Sequence, residues 1–147
     1  MAYTIEVYYQ TGDSFGSEMT NDTIGPVWKD KNLAYKALEE IMEFNDFYSV
    51  YSGWGISESR RKKVIELAKK RPWYIESEYD FGFPSTMTML MDDGSRMSCY
   101  MHFITGYFEH LESAKVIEYH EEEPDQPLYA INNRDLDYLI KKYDHDN

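Results

Sequence analysis

Tyr3-Thr4-Ile5-Glu6-Val7-Tyr8-Tyr9-Gln10 alternates: Tyr3, Ile5, Val7 and Tyr9 share one face, and Thr4, Glu6, Tyr8 and Gln10 share the other. A period of two predicts a β-strand with one buried face. Working outward, Thr11-Gly12-Asp13-Ser14-Phe15-Gly16-Ser17 has the composition of a loop, and Pro26 restricts Ile24-Gly25-Pro26-Val27-Trp28 to an edge strand at most. The period then changes. Asp30 is a good N-cap, and Leu33, Ala34, Ala37, Leu38, Ile41 and Met42 repeat at helical spacing, with Glu39, Glu40 and Glu43 expected outside. This helix is expected from about Lys31 to Phe44, continuing through Tyr51 if nothing stops it before Gly53. Ser57 caps a second helix, Glu58 to Lys70, which Pro72 stops.

The second half reads as strands. Trp73 to Tyr79 is β-prone. Ser85–Met91 and Arg96–Phe103 flank Asp92-Asp93-Gly94-Ser95, a strong hairpin signal. After a turn near Thr105-Gly106, Ala114, Val116 and Ile117 mark another strand ending near Tyr119. Glu121-Glu122-Glu123-Pro124-Asp125-Gln126-Pro127 reads as an acidic linker, and Asn133 or Asp135 caps a short helix containing Leu136, Leu139 and Ile140. The expectation is a single α+β domain: an antiparallel sheet of about five or six strands, two helices on one face and a short C-terminal helix. Residues 1–120 form the body, and residues 121–147 form the linker, helix and tail, the helix being either a third packing element or a detachable arm.

Charge is unevenly distributed. Arg60 to Arg71 carries seven of the fifteen basic side chains and one acid, a net +6, which leaves −18 on the rest of a chain whose total is −12. That balance disfavours ordinary nucleic-acid binding, because phosphate backbones repel an acidic body. Fourteen tyrosines can finish a thin core or supply contact surface. The lone cysteine, Cys99, excludes an intramolecular disulfide and fits a reducing compartment. The first residues lack the basic start and apolar run of a secretion signal, and no apolar stretch approaches the ~20 residues of a membrane span. A cytoplasmic protein without membrane contact is expected.

Enzyme chemistry finds little support. The glycines near Phe15 lack the Lys-Ser/Thr ending of a phosphate loop, and Asp13 and Glu18 would repel phosphate. Cys99 and His102 are spaced C-x2-H, but on one strand they point to opposite faces. No Ser or Cys sits in a nucleophile elbow, and Asp92-Asp93 belongs to a turn. No cofactor, metal or catalytic residue is expected.

Several pieces carry a resemblance. The first strand, Thr11-Gly12-Asp13-Ser14-Phe15-Gly16-Ser17 and Val27-Trp28-Lys29-Asp30 are similar to a group of small phage-encoded proteins. So are Asp92-Asp93-Gly94, His102-Phe103-Ile104-Thr105-Gly106-Tyr107-Phe108-Glu109 and Ser113-Ala114-Lys115-Val116. That group begins with a similar strand and a Thr-Gly-(Asn or Asp)-Ser-Phe-Gly loop, and closes with a Gly-Tyr-Phe-Glu turn and a last strand. The matching pieces cover about half the chain. The resemblance implies a phage accessory protein acting in the host cytoplasm, and nothing about mechanism.

Two functions follow as expectations. The first is a non-enzymatic factor that binds and inhibits or redirects a host protein with a basic surface, in host takeover or anti-defence. Its acidic surface candidates are Asp13, Glu18, Asp22, Glu76, Glu78, Asp80, Asp92 and Asp93, and its aromatic anchors Tyr8, Phe15, Trp54, Tyr79 and Tyr107. The second is a binder of a nucleotide signal, with aromatics stacking on the base and Arg60, Arg61 or Lys63 meeting phosphate. A homodimer is compatible with either.

Overall fold

The computed structural model of the chain describes residues 2–13, 15–76, 82–106, 109–118, 129–130 and 134–144. The protein is α+β, but its strands are divided between two antiparallel sheets. Strands β1 (Tyr3–Asp13), β2 (Gly16–Thr23) and β5 (His110–Glu118) form one sheet in the order β2-β1-β5, extended past β5 by the two-residue β6 (Tyr129–Ala130). Strands β3 (Thr86–Leu90) and β4 (Arg96–Tyr100) form the other. The expected single sheet of five or six strands is therefore not formed.

The alternation of β1 holds from Ile5 to Tyr9, with Ile5, Val7 and Tyr9 buried and Tyr8 exposed, but Thr4, expected on the outer face, is buried, its hydroxyl donating to Pro26 O at 2.7 Å. The expected loop after Gln10 is instead a continuation of the strand into a hairpin, with Thr11 opposite Glu18 and Gly12 opposite Ser17. A Cβ on Gly12 would collide with the Gly16 carbonyl and Ser17 Cα across the hairpin, so the close approach there requires glycine. Trp28 makes an isolated antiparallel bridge to Tyr3. Its indole Nε1 donates to Leu90 O at 2.9 Å, tying the first sheet to the second.

Helix α1 (Lys31–Tyr51) starts at Asp30, whose side chain accepts from Asn32 N, and runs the full distance to Tyr51. It packs on β1, β5, β3, α2 (Glu58–Ala68) and α4 (Leu136–Tyr143), so it is enclosed on more than one side. That explains why Glu40, expected outside, is buried and why Asp46 is buried with it. Each has a cation: Glu40 faces Arg96 at 3.4 Å, and Asp46 faces Arg134 at 3.5 Å. Helix α2, capped by Ser57, packs on α1 and α4. After Pro72 the chain turns instead of forming the expected strand; Trp73 is driven fully inside against Phe44, Phe47 and Phe83, and Glu76 is exposed. Residues 77–79 of that expected strand, and the expected linker 121–127, lie outside the described residues.

The β3–β4 hairpin forms around Asp92-Asp93-Gly94, with Gly94 at φ +84°. It ends earlier than the spacing suggested, because His102–Thr105 closes into a single helical turn, α3, which buries Phe103 and Ile104. Helix α4 begins at the Asp135 cap and is held by contacts all along its length. Arg134 meets Asp46 at one end; at the other, Tyr143 packs on Phe47 with ring centroids 5.0 Å apart, and Asp144 accepts Lys63 at 3.3 Å and Lys70 at 3.7 Å.

Candidate functional site

Five of the candidate residues fall on one structure, the β1–β2 ribbon: Tyr8, Asp13, Phe15, Glu18 and Asp22. Strand β2 is the outer strand of its sheet, and every residue of it except Thr20 is exposed. A strand exposed on both faces has no partner layer on either side, and its outer edge presents backbone N–H and C=O groups to solvent.

The two faces of the ribbon differ. Cross-strand pairing puts Asp22 beside Val7, Thr20 beside Tyr9 and Glu18 beside Thr11, in line with the core face of β1. Thr11 Oγ1 donates to Glu109 Oε1 at 3.1 Å, which brings a third carboxylate to this side. The proximity shows in Tyr9, whose phenol is pushed above its ordinary pKa by burial, then by the nearby Asp22 and Glu109 carboxylates. The other face places Tyr8 beside Asn21 and Met19 beside Gln10; Tyr8 is 40% and Met19 41% exposed. Phe15 stands at the tip, 97% exposed. Of Asp13 the backbone pairing with Gly16 is described.

Asp92 and Asp93 are exposed, yet both serve the fold. The Asp92 carboxylate accepts Lys29 N at 2.8 Å and Asp30 N at 3.0 Å, so the hairpin turn pins the start of α1. Asp93 accepts both Ser95 N and Ser95 Oγ, and those bonds hold its carboxyl below its ordinary pKa.

The basic segment is turned largely on its own chain. Lys63 and Lys70 hold Asp144, Lys69 pairs with exposed Glu76 at 3.7 Å, and Arg71 pairs with Glu43. Arg61 donates to Tyr51 O and lies 5.6 Å from the centre of the Tyr51 ring. Arg60, like Lys62, has no acidic partner among the described residues. It lines a cleft of about 360 Å³ between the end of α1, the start of α2 and the start of α4, together with Trp54 and Arg134. Trp54 is fully exposed. Trp54 and Arg60 thus line one cleft, and Arg61, Lys63 and the ribbon candidates are not part of its lining. Arg134 and Glu109 escaped the sequence reading; the one hint for Arg134 was its position just before the Asp135 helix cap.

Tyr79, Asp80, Glu78 and Tyr107 lie outside the described residues. Cys99 is buried in β4, and burial pushes its thiol up to about 11, the opposite of an activated nucleophile. His102 is set among the Tyr9, Tyr100 and Phe103 rings. Among the described residues no group of three or more His, Cys, Asp or Glu side chains could hold a metal ion, and no helix is long and apolar enough to cross a membrane. No protein-family model, curated protein or solved structure matches this chain.

Proposed function

We propose that this chain is a non-enzymatic accessory protein of phage origin that binds a basic surface on a host protein through the β1–β2 ribbon. The observation that carries this reading is the exposure of β2 on both faces, with Glu18 and Asp22 in one row and Tyr8 and Met19 on the reverse. An edge strand of eight residues offers main-chain hydrogen bonds for strand addition. Its carboxylates steer a cationic partner and discourage pairing with unselected strands. Phe15 at the tip supplies a large apolar group for a pocket on the partner. Inhibition or redirection of the host protein follows from occupying that surface.

The test compares the wild type with Glu18→Lys/Asp22→Lys and Phe15→Ala as baits in host lysate. A stoichiometric partner retained by the wild type and lost by both variants, with melting temperatures unchanged, is the expected result. Association with the purified partner should also slow steeply as salt rises. Equal capture by wild type and variants, or capture of no stoichiometric protein, overturns the reading.

A further inference from the structure

The cleft lined by Trp54, Arg60 and Arg134 carries its own chemistry. Of the three tryptophans, Trp28 and Trp73 are fully buried, whereas Trp54 is fully exposed. Among the described residues Trp54 makes no ring stacking, cation contact or hydrogen bond. A large apolar ring left in water forfeits its burial free energy unless something covers it. It sits between Gly53 and Gly55, the latter at φ +78°, so the backbone on either side carries no side chain that would screen the indole. Val50, Ile56 and Leu136 supply apolar lining below it.

Arg60 stands at the same cleft. Lys63, Lys69, Lys70 and Arg71 of the same basic segment each reach a carboxylate of this chain, and Arg61 is engaged with the Tyr51 carbonyl and ring. In a protein with 27 acids and 15 bases, a guanidinium beside a cleft and without an acid is available for an anion from outside. Arg134 adds a second positive charge from the far wall. Its Nε pairs with Asp46 Oδ1 at 3.5 Å and its guanidinium lies 4.5 Å from the centre of the Tyr138 ring. Asp135, the acid in the lining, is engaged as the α4 cap, accepting Tyr138 N at 2.9 Å. The volume of about 360 Å³ is at the lower end of the ~300–1,000 Å³ typical of small-molecule sites.

We propose that this cleft binds a mononucleotide, with the base stacked on Trp54 and the phosphate held by Arg60. The flat π-face and the forked donor are the two halves of that ligand class, and the cleft brings them together. This site is independent of the ribbon.

The test exploits Trp54 as the solvent-exposed tryptophan. Full-length protein is titrated with AMP, adenosine and inorganic phosphate, following tryptophan fluorescence and, in parallel, calorimetry. AMP should bind saturably and quench the emission, and should bind at least tenfold tighter than phosphate or adenosine alone. Arg60→Ala should weaken AMP tenfold or more and leave adenosine unchanged. Trp54→Ala, followed by calorimetry, should lose AMP binding, while Glu18→Lys/Asp22→Lys should keep it. Both cleft side chains are exposed, so melting temperatures confirm that the variants fold. No saturable AMP binding with a Kd below about 1 mM, a binding free energy of about −4 kcal/mol, overturns the proposal. So does phosphate binding as tightly as AMP, or AMP binding that survives either cleft variant.

Discussion

Replacing Glu43 tests how the aromatic core and the basic segment are joined. The Glu43 carboxylate accepts Arg71 Nε at 2.9 Å and Arg71 Nη2 at 3.1 Å, a two-pronged pair, and also accepts Trp73 Nε1 at 3.0 Å. Trp73 has no exposed surface, so in Glu43→Ala its indole N–H loses its acceptor where water does not reach, at a cost of about 1–3 kcal/mol. The Arg71 side chain is 28% exposed and rehydrates in part, so its share is smaller, about 1 kcal/mol. Together Glu43→Ala should lose about 2–4 kcal/mol, a large part of the 5–15 kcal/mol expected for a domain. At this size that corresponds to a melting temperature lower by roughly 5–15 °C. Glu43→Gln keeps an acceptor for the indole and should cost about half as much. Urea unfolding of wild type and both variants measures these differences, with an unchanged denaturant slope showing that the unfolded state is not altered. Losses under about 0.5 kcal/mol, or equal losses for Ala and Gln, would refute the idea that the buried N–H dominates.

Two further outcomes follow from ionisation. Burial pushes Glu40 and Asp46 above their ordinary values of 4.5 and 3.8, more than Arg96 and Arg134 pull them down. The native state therefore holds those protons to higher pH than the unfolded chain, and the stability gained from them is complete below the unfolded values and lost as pH rises through the native ones. Urea midpoints should rise as pH is lowered from neutral toward the unfolded values, and Glu40→Gln should flatten that rise; a midpoint that falls steadily over this interval contradicts the assignment. Cys99, buried and with its thiol pushed up to about 11, should resist alkylation at pH 8 in the native protein and react promptly in urea. Rapid native labelling would refute its burial.

The three capped helices were legible because their signals are local, whereas the uncapped turn α3 was read as the end of a strand. Asp30, Ser57 and Asp135 all cap as their side-chain chemistry suggests, and the α1 spacing survives in its buried positions. The β3–β4 turn was likewise legible from Asp-Asp-Gly. Strand β2 was not, because alternation signals a half-buried strand, and Gly16–Thr23 is exposed on both sides. Trp73 and Tyr74 carried β propensity, but tertiary packing outweighed it: the indole found a pocket against α1 and an acceptor in Glu43. The division into two sheets depends on Trp28, Asp92 and Glu40 reaching partners far along the chain, and no local pattern records that. The ribbon candidates were found one by one as acids and aromatics; their convergence on a hairpin became visible only through pairing. At the cleft, Trp54 and Arg60 were legible as residue types, while Arg134 joins them through the fold alone.

The grip of Lys63 and Lys70 on Asp144 has a bearing on biosynthesis. The lysines leave the ribosome long before Asp144 does, so the nascent helix spends that interval with its cations unmatched by that carboxylate. The contacts that α4 adds, Tyr143 over Phe47 and under Arg71, and Asp144 between the two lysines, can form only once synthesis has passed them, well after α1 and α2 have been made.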